Sequence, residues 1–369
     1  MRARFAVFVA VVQSILFLAH WFVYETWISF AQTPDPPGVT TPQVVLALLS
    51  ISFVSASFLI FRFSHPVVRL YYTIAAVWLG ILSFCFFAAC LCWTLYGALR
   101  LAGLPLDRQT IADIPFGLAI GASGYGIINA NRLRVKRITV KLPNLPENWR
   151  GRVAALVTDT HLGPIRGYKF MRRIVTMLSR QQPDVVFISG DLYDGTKADL
   201  DQLARPWQEL SAPRGAYFVT GNHEEFSGPQ KYLDALARSG VQILRSEKVT
   251  VDGLQILGVH YRDSVNPQRF RQILHQAALR RESASVLLTH APNRMQVAEE
   301  EGISLQLSGH THAGQFFPFT WITSRIYGEY TYGLKRFGQL MIYTSSGAGT
   351  WGPPMRVGTY PEIVLIRFE

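Results

Sequence analysis

The sequence contains few cysteines and, over its first third, very few charges. Three cysteines occur in 369 residues, and all lie between Cys85 and Cys92. The chain after residue 92 therefore contains no disulfide framework, thiolate metal site or cysteine nucleophile. Residues 1–130 contain 6 Lys and Arg and 4 Asp and Glu, whereas residues 131–369 contain 30 and 21. This asymmetry predicts a membrane region followed by a water-soluble domain of ordinary composition.

Composition and charge exclude several classes of protein. With 49% hydrophobic and 17% charged residues, the chain is neither disordered, collagen-like nor a disulfide-stabilised miniprotein. A net charge of +11 suits two partners, nucleic acid or an anionic membrane surface. Five cations directly follow the last apolar stretch, which favours a lipid bilayer with anionic headgroups over nucleic acid. These cations are Arg132, Arg134, Lys136, Arg137 and Lys141.

Four apolar stretches approach the roughly 20 residues that a helix needs to cross a bilayer. They predict transmembrane helices over about 5–24, 44–61, 72–96 and 114–131. The first stretch has an alternative as a signal peptide cleaved after Ala31, since Arg2 and Arg4 precede it. The fourth contains Pro115 and several glycines, and its alternative is a re-entrant segment. A basic linker over 132–150 and a catalytic domain over 151–369 complete the predicted organisation.

Lysine and arginine near the ends of the spans predict the orientation. With four spans, 9 of these cations fall on the side of both termini and 2 on the opposite side. The positive-inside rule therefore predicts a multi-pass protein of the inner (plasma) membrane with its catalytic domain in the cytoplasm.

From residue 153 onward, short apolar runs alternate with amphipathic stretches, which is typical of a layered α/β (α+β) domain. Helical spacing of apolar residues predicts helices over 168–181, 229–238 and 267–279. Six runs predict strands, over 153–158, 185–189, 216–220, 256–259, 286–289 and 305–308.

The candidate site residues follow five of these six runs. Open α/β sheets bind ligands beyond the carboxyl ends of their strands, so these side chains are predicted to meet in one site. The set combines carboxylate, amide and imidazole groups, which suit two divalent ions such as Mn, Fe, Zn or Co. A two-metal centre would clamp a phosphoryl group during displacement. The residues are Asp159, His161, Asp191, Asn222, His223, His290, His310 and His312.

The ordered series Asp-x-His, Gly-Asp, Gly-Asn-His-Glu, His and Gly-His-x-His resembles the calcineurin-like metallophosphoesterase superfamily. The stretch GHTHAGQ over 309–315 is similar to its membrane-associated bacterial branch. The resemblance implies a two-sheet β-sandwich flanked by helices.

The resemblance also implies roles for individual residues. Asp191 would bridge two metals, and His223 would be catalytic without being a ligand. Glu224, where many relatives have Asp, would orient His223 or a ligand. Asp159, His161 and His312 would hold the first metal, and Asn222, His290 and His310 the second.

The sequence leaves three functions open. The first is hydrolysis of a lipid-linked phosphodiester or diphosphate, an amphiphilic phosphorylated substrate, at the membrane surface. The second is hydrolysis of a soluble, nucleotide-type phosphoester. The third is a membrane sensor or scaffold that binds without cleaving, which the complete set of predicted ligands disfavours. The oligomeric state is not encoded in these motifs.

Overall fold

The structure, a computed structural model, describes residues 2–31, 40–105 and 107–369. The chain divides into two compact units. The helical unit comprises the residues up to Ile128 together with Gly352–Met355. The α/β unit comprises Asn129–Trp351 and Arg356–Glu369.

Four helices in the described residues are long and apolar enough to cross a membrane. They contain the four predicted spans except for residue 131 at the end of the fourth, and they extend beyond the other predicted ends by up to seven residues. The loop residues 32–39, next to the predicted cleavage site of the signal-peptide alternative, lie outside the described residues. The helices are α1 (Arg2–Ala31), α2 (Thr41–Arg62), α3 (Pro66–Leu101) and α4 (Arg108–Ala130).

The helical unit is held together by small side chains and by polar bonds between helices. Ala76 and Ala89 of α3 are buried, whereas large apolar side chains such as Phe8 and Leu118 point outward, as lipid solvation allows. The indole Nε1 of Trp78 donates to His20 Nε2 at 2.8 Å and so joins α3 to α1.

The α/β unit contains all twelve strands of the described chain. They are β1 (Arg134–Val140), β2 (Val153–Val157), β3 (Val185–Ser189), β4 (Ala216–Val219), β5 (Gln242–Ile243), β6 (Lys248–Val251), β7 (Leu254–Val259), β8 (Ser285–Thr289), β9 (Leu305–Ser308), β10 (Gly333–Phe337), β11 (Leu340–Thr344) and β12 (Glu362–Phe368). The helices are α5 (Tyr168–Gln181), α6 (Leu200–Ala204), α7 (Asn222–Phe226), α8 (Gln230–Arg238), α9 (Tyr261–Val265), α10 (Pro267–Gln276), α11 (Met295–Glu300) and α12 (Phe319–Tyr327).

The strands form two six-stranded mixed sheets. The first has the order β1-β12-β2-β3-β4-β5 and the second β10-β11-β9-β8-β7-β6. Strands β2 to β5 run parallel in the first sheet, and β7, β8, β9 and β11 run parallel in the second. All the strands that precede the predicted site residues are therefore parallel members of these two sheets.

Alternation along the strands explains the layers. Leu156 and Phe187 face the core between the sheets, whereas Val157 and Ile188, one residue later, face the helices outside the first sheet. In the second sheet, Leu287 faces an outer core formed with α10 and α11. Strands buried on both faces read as continuous apolar runs, which is why they were predictable. The predicted fold, a two-sheet sandwich flanked by helices, is confirmed.

The structure differs from the predicted linker over 132–150. Residues Arg134–Val140 form β1, which pairs in parallel with β12. Trp149 is fully buried, and its indole N–H donates to the carbonyl oxygen of Val251. The basic residues concealed this strand because an edge strand exposes one face to solvent, where charge is tolerated.

Candidate metal centre

The predicted site residues all lie just after the ends of parallel strands, in loops or, for Asn222 and His223, in the first turn of helix α7. The segment after β2 carries Asp159 and His161, and Asp191 lies two residues after β3. Helix α7 begins at Asn222, after β4. In the second sheet, His290 follows β8, and His310 and His312 follow β9. The carboxyl ends of both sheets thus supply the site.

The first cluster consists of Asp159, His161 and His312. One ligand atom from each lies within 4.8 Å of the other two. The Nε2 atoms of the two histidines are 2.9 Å apart, and His312 Nε2 is 3.6 Å from Asp159 Oδ1. All three side chains are buried, so their donor atoms converge in a place from which most water is excluded.

The second cluster consists of Asp191, His290 and His310, again with ligand atoms within 4.8 Å of one another. His290 Nε2 lies 3.1 Å from Asp191 Oδ2 and 3.1 Å from His310 Nδ1. The amide oxygen of Asn222 lies 3.2 Å from the same His290 nitrogen. All four predicted contributors to this half of the site are therefore brought together.

Asp191 lies between the two clusters. Its Oδ2 atom is 3.1 Å from His290 Nε2 in the second cluster and 3.9 Å from His161 Nε2 in the first. Its Oδ1 atom accepts the backbone N–H of His223 at 2.9 Å, which fixes the carboxylate plane. A Cβ atom at Gly221 would overlap this carboxylate, so glycine is required there. This is the geometry that a bridging carboxylate needs.

Five of these residues have a left-handed backbone, which is uncommon outside glycine. Such conformations cost about 1–3 kcal/mol each and persist where surrounding contacts impose them. Their concentration in one place indicates that the fold holds the side chains in position before any ligand binds. The φ angles are 52° at Asp159, 47° at His161, 48° at Asp191, 71° at His310 and 50° at His312.

Burial and mutual charge shift the pKa values within the site. Burial opposes ionisation of Asp191, but the surrounding histidines, His290 foremost, hold its pKa well below the usual range. Burial alone would lower the pKa of His290, yet Asp191 raises it to about 9. Burial and the charge of His290 lower the pKa of His310 to about 3. Strongly shifted values of opposite sign in one cleft are typical of functional sites.

His223 is partly exposed, with 18% of its side-chain surface accessible. Its ring contacts that of His161 edge-on, with centroids 4.7 Å apart. Its Nδ1 atom lies 3.1 Å from the backbone carbonyl oxygen of Asp194, a hydrogen bond in which the ring nitrogen donates. The opposite nitrogen, Nε2, is therefore the one available to a substrate.

Asp194 is a residue that the sequence analysis missed. Its Oδ1 atom is 3.4 Å from His161 Nδ1 and 3.7 Å from His223 Nδ1. One carboxylate thus faces both a predicted ligand and the predicted catalytic histidine. The sequence did contain an indication of this role, because Asp194 follows Asp191 by three residues in the loop after the same strand.

Glu224 is fully buried and contacts the backbone of the Asp191 loop. Its carboxylate accepts the N–H groups of Asp191 at 3.1 Å, Tyr193 at 2.9 Å and Gly221 at 2.8 Å. Burial, with the nearby Asp191 charge, raises the pKa of Glu224 to about 7. The structure therefore places Glu224 behind a predicted ligand rather than against the His223 ring.

Arg356 is a second residue that sequence reasoning missed. It is fully buried, and its guanidinium donates to the carbonyl oxygens of His312 at 3.0 Å and Gly349 at 2.8 Å. Burial lowers the pKa of Arg356 to about 9, and the Asp159 charge opposes that shift. The Arg356 side chain thus links the loop that carries His312 to the loop after β11 by hydrogen bonds. Nothing in the local sequence indicates the contact with His312, because it spans 44 residues.

Comparison with known proteins assigns the chain to a family. Residues 153–314 match the sequence profile of the calcineurin-like phosphoesterases. An uncharacterised metallophosphoesterase of Helicobacter pylori is 31% identical over 281 residues, which is 74% of this chain and 75% of that protein. The chain belongs to the calcineurin-like metallophosphoesterase family. As a member, it is a hydrolase of phosphoester bonds, and the predicted resemblance and enzyme class are confirmed.

The similarity to two other relatives extends into the helical unit. A Campylobacter jejuni metallophosphoesterase, uncharacterised, is 29% identical over 383 residues, covering 99% of both chains. A zebrafish (Danio rerio) protein named as a transmembrane protein with a metallophosphoesterase domain is 31% identical over 87% of this chain and 78% of its own. A protein named as transmembrane is thus among the relatives of this chain. The roles of individual site residues stay predictions.

Proposed function

We propose that this metallophosphoesterase hydrolyses a lipid-linked phosphodiester or diphosphate at the membrane surface, with two divalent ions held by the two clusters. The proposal of two metal ions rests on the position of Asp191. Its Oδ2 atom lies within 4 Å of a histidine nitrogen from each cluster. The lipid part is supported by four membrane-spanning-like helices in the same chain.

The donor set fits divalent transition metals. Imidazole nitrogens and carboxylate oxygens converge from both sheets, with no thiol in the α/β unit. The imidazole Nε2 atoms of His161 and His312 face each other at 2.9 Å, which suits two ligands of one ion. Bound divalent ions supply Lewis acidity and lower the pKa of a coordinated water. Mn, Fe, Zn and Co all suit these donors.

The chain's own residues perform the remaining tasks. Asp159, His161 and His312 hold the first position, and Asn222, His290 and His310 the second, with Asp191 shared. His223 presents Nε2 toward the substrate and gives a proton to the leaving oxygen, because its Nδ1 is occupied by the Asp194 carbonyl group. The Asp194 carboxylate, 3.7 Å from His223 Nδ1, stabilises the positive charge that His223 carries before it gives up this proton. No side chain is required to form a covalent intermediate.

The helical unit and the basic residues after it favour a lipid substrate over a soluble one. Four spans would hold the enzyme at the bilayer, where an amphiphilic substrate is concentrated and a dissolved nucleotide is not. Anionic headgroups would be attracted by the cations at 132–141.

The experiment is a substrate comparison with the full chain in lipid vesicles and each of the four metals. Total membrane lipids, nucleotides and bis-p-nitrophenyl phosphate are offered in parallel, with Asp191→Asn as the inactive control. We expect metal-dependent release of a water-soluble phosphorylated product from the lipid fraction. Rapid turnover of a nucleotide together with an unchanged lipid fraction would overturn the lipid proposal in favour of a soluble substrate.

We also propose that the α/β unit, called the catalytic unit from here on, faces the cytoplasm at the inner (plasma) membrane. The proposal follows from the 9 Lys and Arg near the span ends on its side, against 2 on the opposite side. A reporter fused after Glu369 tests this orientation. Fluorescence of a green fluorescent protein fusion without activity of an alkaline phosphatase fusion supports it. The reverse pattern would place the catalytic unit outside.

A further inference from the structure

Helix α12 directly follows the loop of the two Gly-His-x-His histidines, and its apolar side chains point outward. Phe319 is 41% exposed, Trp321 55% and Ile326 66%, and Ile322 is also exposed. No side chain of α12, all of which the structure describes, is buried. Thr320, Thr323 and Tyr327, which share the opposite side at helical spacing, are half-buried. The helix thus turns its hydroxyl-bearing residues inward and its large apolar residues outward.

Helix α12 packs closely against the loop that carries His310 and His312. The Cβ that any other residue would add at Gly314, where φ is 79°, would overlap the Thr320 backbone, so the helix starts in close contact with the metal loop. Thr311, between the two loop histidines, donates its hydroxyl to the carbonyl oxygen of Thr331. Thr331 in turn donates to the carbonyl oxygen of Thr323 in α12. The outward face is therefore a fixed feature of the fold.

The helix also flanks the second cluster. The Tyr327 ring meets the His310 ring edge-on, with centroids 6.1 Å apart. The apolar face, on the other side of the helix, is therefore separated from the second cluster by the width of α12, roughly 10 Å.

We propose that Phe319, Trp321, Ile322, Arg325 and Ile326, here called the α12 surface, dock the catalytic unit onto an anionic lipid bilayer. Aromatic and aliphatic residues with a cation at the edge are the composition of helices that lie in a membrane interface. The Arg325 guanidinium lies 5.3 Å from the centre of the Trp321 ring, so a cation accompanies the aromatic group. The helix contains no acidic residue, which suits anionic headgroups.

Size and connectivity favour a bilayer over another protein. Five half-exposed side chains offer roughly 500 Å², less than the roughly 800 Å² per partner of a stable protein interface. A small contact is sufficient for a bilayer, because the spans already tether the chain to it. Three residues, 131–133, separate the last candidate span from β1. The α12 surface would then set how the metal centre meets the headgroups.

The test uses the full chain in nanodiscs that contain phosphatidylglycerol. A bimane fluorophore is placed on Ser324→Cys, an exposed position of α12 outside the proposed surface. Gln268→Cys, an exposed position on α10, is the matched control. The unsubstituted chain, labelled in parallel, measures the contribution of Cys85, Cys90 and Cys92.

We expect doxyl lipids to quench the Ser324→Cys label about two-fold, since interfacial helices lie within the headgroup and acyl boundary. Iodide in the water should quench the Gln268→Cys label more than the Ser324→Cys label. Adding Trp321→Glu and Ile326→Glu should make the Ser324→Cys label behave like the control, while manganese content shows that the unit stays folded.

Two outcomes would overturn the proposal. A Ser324→Cys label that iodide quenches as strongly as the control label would show that water covers the surface. A label protected from both iodide and doxyl lipid would show that a protein, such as a second copy of the chain, covers it. Because no substrate is used, either result is independent of the lipid-hydrolysis experiment.

Discussion

In the helical unit, the buried side chains of His20 and Thr26 each bond to a tryptophan of a neighbouring helix, whereas in the catalytic unit the buried histidines and aspartates lie against one another in the metal centre. His20 accepts from Trp78, and Thr26 accepts from Trp93 at 2.9 Å, so each polar group has one partner on another helix. In the catalytic unit, His290 Nε2 has Asp191, Asn222 and His310 within 3.2 Å. A hydrogen bond between two side chains holds two helices together. Several nitrogen and oxygen atoms that face one point form a binding site for a cation.

The two units also differ in where their apolar side chains lie. The apolar side chains of the helical unit face outward, where lipid is their solvent, and its polar pairs set the packing. The catalytic unit buries its apolar side chains in three layers and leaves its chemistry in loops. Four changes, in order of expected effect, test whether chemistry and packing are divided in this way.

Replacing the shared carboxylate should have the largest effect. Asp191→Asn removes the charge that both clusters face, so we expect loss of bound metal from both positions. Turnover of bis-p-nitrophenyl phosphate should fall about 10³-fold or more, since bound metals contribute several kcal/mol to the transition state. Metal content by mass spectrometry and turnover are measured on the same sample. Asp201→Asn, an exposed aspartate paired with Arg238, is the control and should retain both.

Two metals per chain in Asp191→Asn with near-normal turnover would remove the bridging role. Loss of metal from one cluster alone would show that Asp191 belongs to that cluster and does not join the two.

Removing the predicted proton donor should separate turnover from metal binding. For His223→Ala we expect turnover about 10²–10⁴-fold lower, the usual range for acid–base groups. Metal content should stay unchanged if His223 acts on the substrate alone, and this is a sharp test because His161, Asp194 and His223 form a third group of potential ligand atoms. His275→Ala, an exposed histidine on α10, is the control. Metal loss in His223→Ala would contradict this assignment and make His223 a ligand.

Asp194 should have a smaller effect, through the two histidines that it faces. Asp194→Asn retains the backbone hydrogen bond to His223 but removes the charge near His161 Nδ1. Partners behind a ligand typically change metal affinity or activity 10–100-fold, and we expect a loss of about that size. Calorimetric metal titration distinguishes this from general destabilisation. The same substitution at Asp199, whose carboxylate caps α6, should leave the titration unchanged. Equal metal affinity in Asp194→Asn and the unsubstituted chain would contradict a positioning role.

Much of this site could be predicted because of where its residues lie along the chain. Strands buried on both faces are continuous apolar runs, and Asp159, Asp191 and His290 follow such runs directly. Helix α5 was predicted at its observed bounds, because Met171, Ile174 and Leu178 repeat at helical spacing. The resemblance to the family then indicated which ligands would share a metal ion, because the spacing of the residues along the chain does not determine it.

The remainder depends on tertiary contacts that the local sequence does not record. Arg356 looks like a surface cation, yet the fold buries it beside His312. Strand β1 reads as a basic linker because its partner, β12, lies more than 220 residues later in the chain. Helix α12 has no inward apolar stripe, so periodicity could not predict which side packs.

The smallest effect is expected in the helical unit, from the His20–Trp78 pair. His20 Nδ1 donates to the carbonyl oxygen of Leu16, which leaves Nε2 to accept from Trp78. Hydrogen bonds between membrane helices average about 0.6 kcal/mol and reach about 1.7 kcal/mol. A double-mutant cycle of His20→Ala and Trp78→Phe, with unfolding followed in mixed micelles, should give a coupling energy in that range. Neither single variant should change metal content or turnover of bis-p-nitrophenyl phosphate by more than about two-fold, a limit of about 0.4 kcal/mol. The pair Thr26 and Trp93, on the same two helices, offers a second cycle that should add to the first, since the sites share no partner. A ten-fold loss of turnover with the metal retained would show that the helical unit takes part in the chemistry of the soluble diester, and the division between the two units would fail.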